Sequence, residues 1–288
     1  MANSGLAFAK YLLSLDASTE NGQRSDHYGE AWAGFFDQTE HSPPELTSGE
    51  VNGSIEDERG KFPVNSLIGD TGTINPEYRN ILNRLLRYPP YSLEETKAET
   101  IVQSLLDWLD PDDLPTGEFG AESATYRAEG KGYACPNADM KALAELAKIR
   151  GISRELLAGD RERPGLMSLL SVHNPGKINI NTAPPLLLAA MVLPTVSPET
   201  AADFAESAVS YRRDKEHFEF LGEKDWYRNR MAGFNDIQLP SRVVATTSHV
   251  YAVTVKAGTG RKSKALFAVV QRDGQGRSSL KTLWREVH

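Results

Sequence analysis

Cysteine is almost absent from this sequence. Cys135 is the only one in 288 residues, so the chain cannot close a disulfide on itself or build a cysteine-ligated zinc site. Long apolar runs are missing as well. No stretch of about 18 apolar residues occurs, and nothing reads as a membrane-spanning helix. No signal peptide precedes the first helical pattern. There is no basic excess: 32 Lys and Arg face 39 Asp and Glu, for a net charge of −7. Scattered cations in an acidic chain are not the usual footprint of a nucleic-acid binder. The six histidines are dispersed, without the HExxH spacing, and there is no GxSxG elbow, P-loop or GxGxxG. Catalysis has no positive support.

What is present is ordinary globular composition, 40% hydrophobic and 25% charged. It suffices for one large domain or two smaller ones. Leu6, Phe8, Ala9, Leu12 and Leu13 give an N-terminal amphipathic helix. Residues 16–31 are polar, Trp32 to Phe36 form an aromatic patch, and Ser42-Pro43-Pro44 marks a loop. Residues 50–65 read as a hairpin, with Val51 and Ile55 in one arm and Phe62 and Val64 in the other.

After Gly72 the period turns helical. Asn75 caps and Pro76 begins a helix whose face is Tyr78, Ile81, Leu82, Leu85 and Leu86. Ser92 with Glu95 reads as the capping box of the next helix, with Ala98, Ile101, Val102, Leu105, Trp108 and Leu109 along one face. Asn137 and Ser153 are expected caps of a helical pair, Thr182 with Pro184 starts another, and Ser197-Pro198 restarts it. The last fifty residues switch to period two: a strand through Tyr251, Val253 and Val255, a second over 265–270 and a third over 280–284. Such a meander needs cover on one face. The N-terminal helix is the expected cover, which makes the helical middle an insertion. The fold class expected is therefore α+β, with residues 1–70 and 240–288 forming a discontinuous α/β domain and 71–239 the inserted α-helical domain.

The densest chemistry lies at the end of the third helix. Asp107, Asp110, Asp112 and Asp113 fall within seven residues, and Gly120-Ala121-Glu122 brings another carboxylate nearby. Carboxylates at a helix C-terminus oppose the macrodipole unless a cation compensates. A hard divalent cation such as calcium takes six to eight oxygens, which Asp107, Asp110, Asp112, Asp113 and Glu122 can supply, with Asn137 adding an amide oxygen. It is not an EF-hand: Leu114 and Pro115 fall where Asp or Asn and Gly are required. The alternative is a solvated acidic loop with Asp-Pro turn chemistry. A carboxylate pair for glycoside hydrolysis finds no support, since nothing separates two carboxylates into different environments.

Residues 181–211 look like a helix-hairpin-helix, a unit that grips phosphate through backbone N–H groups. The hairpin, Leu193-Pro194-Thr195-Val196-Ser197, lacks the glycines, and its proline removes a donor. A packing module is the simpler reading, and a nucleic-acid-binding protein is the alternative.

Several motifs occur in order: Gly5-Leu6-Ala7 opening the first helix, Asp57-Glu58 with Gly60-Lys61-Phe62 and Val64-Asn65, Asp107-Trp108-Leu109-Asp110 with Asp112 and Gly120-Ala121-Glu122, and Ile178-Asn179-Ile180-Asn181-Thr182-Ala183-Pro184. Together they resemble the type II secretion system minor pseudopilin family GspK (general secretion pathway protein K). The resemblance covers nearly the whole chain. It implies a pilin-like fold, a long N-terminal helix on an antiparallel sheet, with a large helical domain inserted between early and late strands. It implies a non-enzymatic role: capping the periplasmic pseudopilus tip with other minor pseudopilins, helping initiate assembly for protein export across the outer membrane. Family members can bind calcium in the helical domain, which carries over onto Asp107, Asp110, Asp112, Glu122 and Asn137 here. They also carry a prepilin leader and an N-terminal transmembrane helix. This sequence shows neither, so it is expected to be the soluble periplasmic part of an inner-membrane-anchored protein of a Gram-negative bacterium, with Met1 an artificial start.

Overall fold

The computed structural model describes residues 1–19, 22, 24–34, 50–259, 262–272 and 280–287. Helix α1 (Ala2–Ala17) lies on a four-stranded antiparallel sheet ordered β1 (Glu50–Asp57), β6 (Val250–Thr259), β7 (Lys262–Arg272) and β8 (Leu280–Val287). The packing follows from period matching. Leu6, Ala9, Leu12 and Leu13 form the helix stripe, while Ile55, Tyr251, Val253, Val255, Leu266, Ala268 and Val270 alternate on the facing side of the sheet. Gly5 sets the closeness of approach: a Cβ there would meet Val255 Cγ1 at 2.5 Å. Trp32 is fully buried in this same core. The loop expected at Ser42-Pro43-Pro44 lies outside the described residues.

Between β1 and β6 the chain builds the helical body, in order β2 (Phe62–Pro63), α2 (Pro76–Arg87), α3 (Glu95–Leu109), α4 (Ser123–Ala128), α5 (Arg154–Ala158), α6 (Leu166–Leu169), β3 (Leu170–Ser171), β4 (Ile178–Asn179), α7 (Pro185–Met191), α8 (Pro198–Tyr211), α9 (Trp226–Arg230) and β5 (Val244–Ala245). Its core is separate and runs from Phe62 to Val244. The expected faces of α2 and α3 are buried in it. Asn75 caps α2 by accepting from Glu77 N–H at 3.1 Å, and Ser153 and Ser197 cap α5 and α8.

Four local expectations differ. Residues 50–65 form no hairpin. The whole of β1 pairs with β6, Ile55 opposite Val253, and Asp57 accepts from Arg59 N–H to start a turn at 58–60. Phe62–Pro63 then pairs in parallel with Leu170–Ser171. Ser92 sits at φ +48°, and Glu94 is the residue that precedes α3. Asn137, also at φ +48°, starts no helix; its side chain reaches residues 112 and 113 instead. Thr182 does not cap α7: its hydroxyl donates to Asp57 Oδ2 at 2.6 Å, and the helix starts at Pro185. For β1, Asn137 and Thr182 a distant partner outcompetes the local turn chemistry that the sequence offered.

The two cores meet at a buried polar joint. Asp57 accepts from Arg59 N–H, Asn179 Nδ2, Thr182 Oγ1 and Ser248 Oγ. Asn179 Nδ2 also reaches the Asp26 carbonyl at 2.9 Å. Nearby, Ser171 Oγ donates to Glu58, and Asn174 Nδ2 donates to the Lys61 carbonyl at 2.7 Å. Asp57 pairs with Tyr251 in the sheet register, so both crossings into the helical body leave the sheet at one end. Asp16, near the C-terminal end of α1, bonds Arg272 at that same end, whereas Gly5 lies beside Val51 and Val255 at the other. The N-terminus of α1 therefore points away from the inserted body.

Candidate metal centre

Helix α3 positions the acidic cluster. Its last turn is Leu106-Asp107-Trp108-Leu109, and Asp110 is its C-cap, with N–H bonded to the Leu106 carbonyl at 2.8 Å. Leu105, Trp108 and Leu109 anchor the helix in the core, and this holds Asp107 and Asp110 on one side of its end. No basic residue lies in that last turn. The chain then loops back, and Glu122 stands as the N-cap of α4.

Asp107, Asp110 and Glu122 converge. One carboxylate oxygen from each lies within 4.8 Å of the others. All three are buried, at 0%, 6% and 1% exposure. Asp107 Oδ1 accepts from Thr116 N–H at 2.8 Å, and Glu122 Oε2 accepts from Ser123 N–H at 3.3 Å. Asp107 Oδ2, Asp110 Oδ1 and Glu122 Oε1 have no hydrogen-bond partner, and neither does Asn137 Oδ1. Buried polar atoms are nearly always satisfied, so four orphaned oxygens in this one region are anomalous for a protein alone. Gly120 is required by the closure of the loop: a Cβ there would stand 2.3 Å from Asp107 Oδ2 and 2.6 Å from Thr116 backbone atoms.

The electrostatics agree. Burial, then the charges of Asp112 and Asp107, push the Asp110 carboxyl up to about 6. Burial, then Asp107 and Asp110, push Glu122 up to about 7. Asp107 is raised by burial despite the donors from Thr116 and Ala121. Burial and the neighbouring Glu122 hold the Cys135 thiol up at about 12; its Sγ donates to the Ala121 carbonyl at 3.4 Å. Three desolvated carboxylates without an ion pair among the described residues form an all-oxygen donor set, which suits a hard cation and not a soft one.

Of the residues expected from sequence, the structure thus gathers Asp107, Asp110 and Glu122. Asn137 Nδ2 donates to the Asp112 carbonyl and to Asp113 Oδ1 at 3.2 Å, which leaves its oxygen orphaned. The Asp112 carboxylate is turned to its own loop, accepting from Leu114 N–H at 2.8 Å, and is exposed with Asp113. Thr116 was missed by sequence reasoning, and Gly120 was quoted there only for the carboxylate that follows it, not for its close approach to Asp107.

The helix-hairpin-helix reading fares differently. α7 and α8 do pack against each other, but Arg212, the cation that directly follows α8, is 7% exposed. It donates inward to the Ile180 carbonyl at 2.6 Å and the Ala183 carbonyl at 2.7 Å. The unit is a packing module.

Comparison with known proteins bears on the whole chain. A family model described as "Type II secretion system (T2SS), protein K" matches residues 60–160, the stretch that holds the acidic cluster. A "Type II secretion system protein K" of Pseudomonas aeruginosa is 28% identical over 258 residues, covering 88% of this chain and 68% of the relative. Its namesake in Pectobacterium carotovorum subsp. carotovorum is 31% identical over 116 residues, 38% of this chain and 34% of that protein. In three dimensions, a chain of the crystal structure of the GspK-GspI-GspJ complex from the enterotoxigenic Escherichia coli Type 2 Secretion System aligns with a TM-score of 0.70. That alignment covers 99% of this chain and 94% of the other at 17% identity. The expected pilin-like helix on an antiparallel sheet, interrupted by a helical body, is the architecture found.

Proposed function

We propose that this chain, which is similar in sequence to type II secretion system protein K and shares its fold, is the minor pseudopilin that caps the periplasmic pseudopilus tip, in complex with other minor pseudopilins, and helps initiate assembly. The observation that carries this reading is the polarity of the fold. The inserted body stands at the C-terminal end of α1 and the sheet, opposite the N-terminus. In a filament whose subunits stack along their N-terminal helices, that placement leaves no room for a further subunit above. The role is steric and associative, and no catalytic step is assigned to the chain.

The outward side of α1 supplies a docking stripe. Tyr11 and Leu15 are exposed at 57% and 43%, and Phe8 stacks on Tyr11 with ring centroids 6.3 Å apart. Apolar residues on an amphipathic helix beyond those its own core buries suit helix–helix contact with neighbouring subunits. Among the described residues no helix is long and apolar enough to cross a membrane. On this reading the protein acts in the periplasm, anchored to the inner membrane. Replacing Tyr11→Glu should abolish co-purification with partner pseudopilins while leaving the melting temperature within about 2 °C, because the side chain packs no core. Retention of the complex in that variant would overturn the assignment of this face.

The same reading includes structural calcium. Asp107, Asp110, Glu122 and Asn137 would hold it through their orphaned oxygens, and it would supply the charge that the carboxylates lack. It would fix the end of α3 to the start of α4, and metal bound only by the folded state stabilises that state. Chelator should lower the melting temperature, and Asp110→Ala should abolish the difference. An identical melting curve with and without chelator, on protein free of metal by elemental analysis, would exclude the ion.

A further inference from the structure

A second carboxylate cluster stands in the other core, at the end of α1. Asp16, Asp26 and Glu30 each place one carboxylate oxygen within 4.8 Å of the others. All three belong to a stretch whose sequence shows only polarity. Arg272 answers two of them: Nη1 donates to Asp16 Oδ2 at 2.7 Å and Nη2 to Asp26 Oδ1 at 2.5 Å. Tyr251 also donates to Asp26 Oδ1, and Ser248 N–H to Asp26 Oδ2 at 2.6 Å.

Glu30 is the exception. Its side chain is only 8% exposed. Trp32 Nε1 donates to Oε2 at 2.7 Å, and His27 N–H donates to the same oxygen at 3.1 Å. Oε1 has no hydrogen-bond partner among the described residues. His27 Nε2 stands 3.8 Å from it, too far to bond, and burial holds that imidazole neutral by pushing it down to about 4. Among the described contacts, three buried carboxylates thus face one guanidinium. Such a surplus is relieved by a proton or by a cation. Burial and the charges of Asp16 and Asp26 push Glu30 up to about 8, which makes the proton the competing occupant.

The geometry favours the metal. Oxygens on opposite sides of a calcium ion stand about 5 Å apart, since each bond is 2.3–2.6 Å long. A triangle of oxygens within 4.8 Å therefore closes around one ion. A divalent charge added to one guanidinium balances three carboxylates, whereas a single proton leaves the cluster negative. We propose that Asp16, Asp26 and Glu30 form a second site for a hard divalent cation of calcium size, separate from the cluster at the end of α3. Bound there, the ion fastens the last turn of α1 to the 26–32 segment and, through Arg272, to β7.

The full chain tests this with calcium itself. Equilibrium dialysis followed by elemental analysis should find one ion fewer per chain in Glu30→Gln than in the unsubstituted protein. Asp110→Ala should retain a Glu30-dependent ion. Gln keeps an oxygen for Trp32 and His27, so the fold is expected to survive, and near-ultraviolet circular dichroism checks it. A second measurement does not depend on Glu30. In the Asp110→Ala protein, terbium emission excited through tryptophan should fall at least five-fold on adding Trp32→Phe, because Trp32 Nε1 donates to Glu30 of this site. Equal calcium in folded Glu30→Gln and unsubstituted protein overturns the proposal, as does terbium emission indifferent to Trp32. If Asp110→Ala loses nothing while Glu30→Gln loses one ion, this site stands and the α3 cluster does not.

Discussion

Individual carboxylates govern how this protein answers to pH. Glu122 and Glu30 have native values raised to about 7 and about 8. A raised acid binds more protons folded than unfolded, so its contribution falls as pH rises through the native value. His27, pushed down to about 4, acts at lower pH: it removes stability as pH drops below the unfolded value of about 6.5. Above that point His27 is silent and the acids dominate. The chelated protein should therefore melt progressively lower from pH 6.5 to 9. Saturating calcium should flatten the decline, because bound oxygens stay deprotonated in both conditions. A chelated protein whose melting temperature is constant across this range would contradict the assignment.

Residue types at Asp107, Asp110 and Glu122 were legible because oxygen donors crowded a helix end. The Asp16, Asp26 and Glu30 cluster was not. Its members are ten and four residues apart with no periodic frame, and the cation that joins two of them is Arg272, far along the chain.

At the level of elements, amphipathic period told most where the element is long. α2, α3 and the strands β6 to β8 lie where alternation or helical spacing put them. Short parallel pairings such as Ile178–Asn179 with Val244–Ala245 carry no such signal, because two residues define no period. β1 misled because its partner is almost two hundred residues away while a local turn lay close by. The α7–α8 unit was legible as helices and open in purpose, and Arg212 decides it. Burial pushes its guanidinium down to about 10, yet it serves two carbonyls at the start of α7. Arg212→Met would orphan both, at a cost of about 2–4 kcal/mol. Denaturant titration should show that loss. A change below about 1 kcal/mol would mean that these carbonyls find other donors.

For the molecule as a whole, the division into two cores joined by a polar seam fixes what each can do. The α1–sheet core offers the exposed stripe of Tyr11 and Leu15, and the helical body offers bulk and the Asp107, Asp110 and Glu122 cluster. Asp57, Asn179, Thr182 and Ser248 hold the two in one orientation without merging their apolar interiors. The overall class, helix and sheet with an inserted helical body, was readable because the period changed twice along the chain. The seam was not readable, because each of its polar residues suits a turn equally well.

The shared end at which both crossings leave the sheet also sets a timetable. β1 is synthesised early, but its strand partner among the described residues, β6, arrives after the entire helical body. Pairing across so long a separation is slow unless the intervening chain is already compact. The helical body should therefore fold first and bring Asp57 and Tyr251 within reach, with the sheet closing last. In refolding experiments on variants that keep one tryptophan, the Trp108 signal should precede the Trp32 signal, and chelator should delay both. A Trp32 signal that comes first would reverse that order. On this timetable, a chain whose helical body is unfinished has no completed sheet beneath α1, so the outward face of that helix is presented in order only once the body is built.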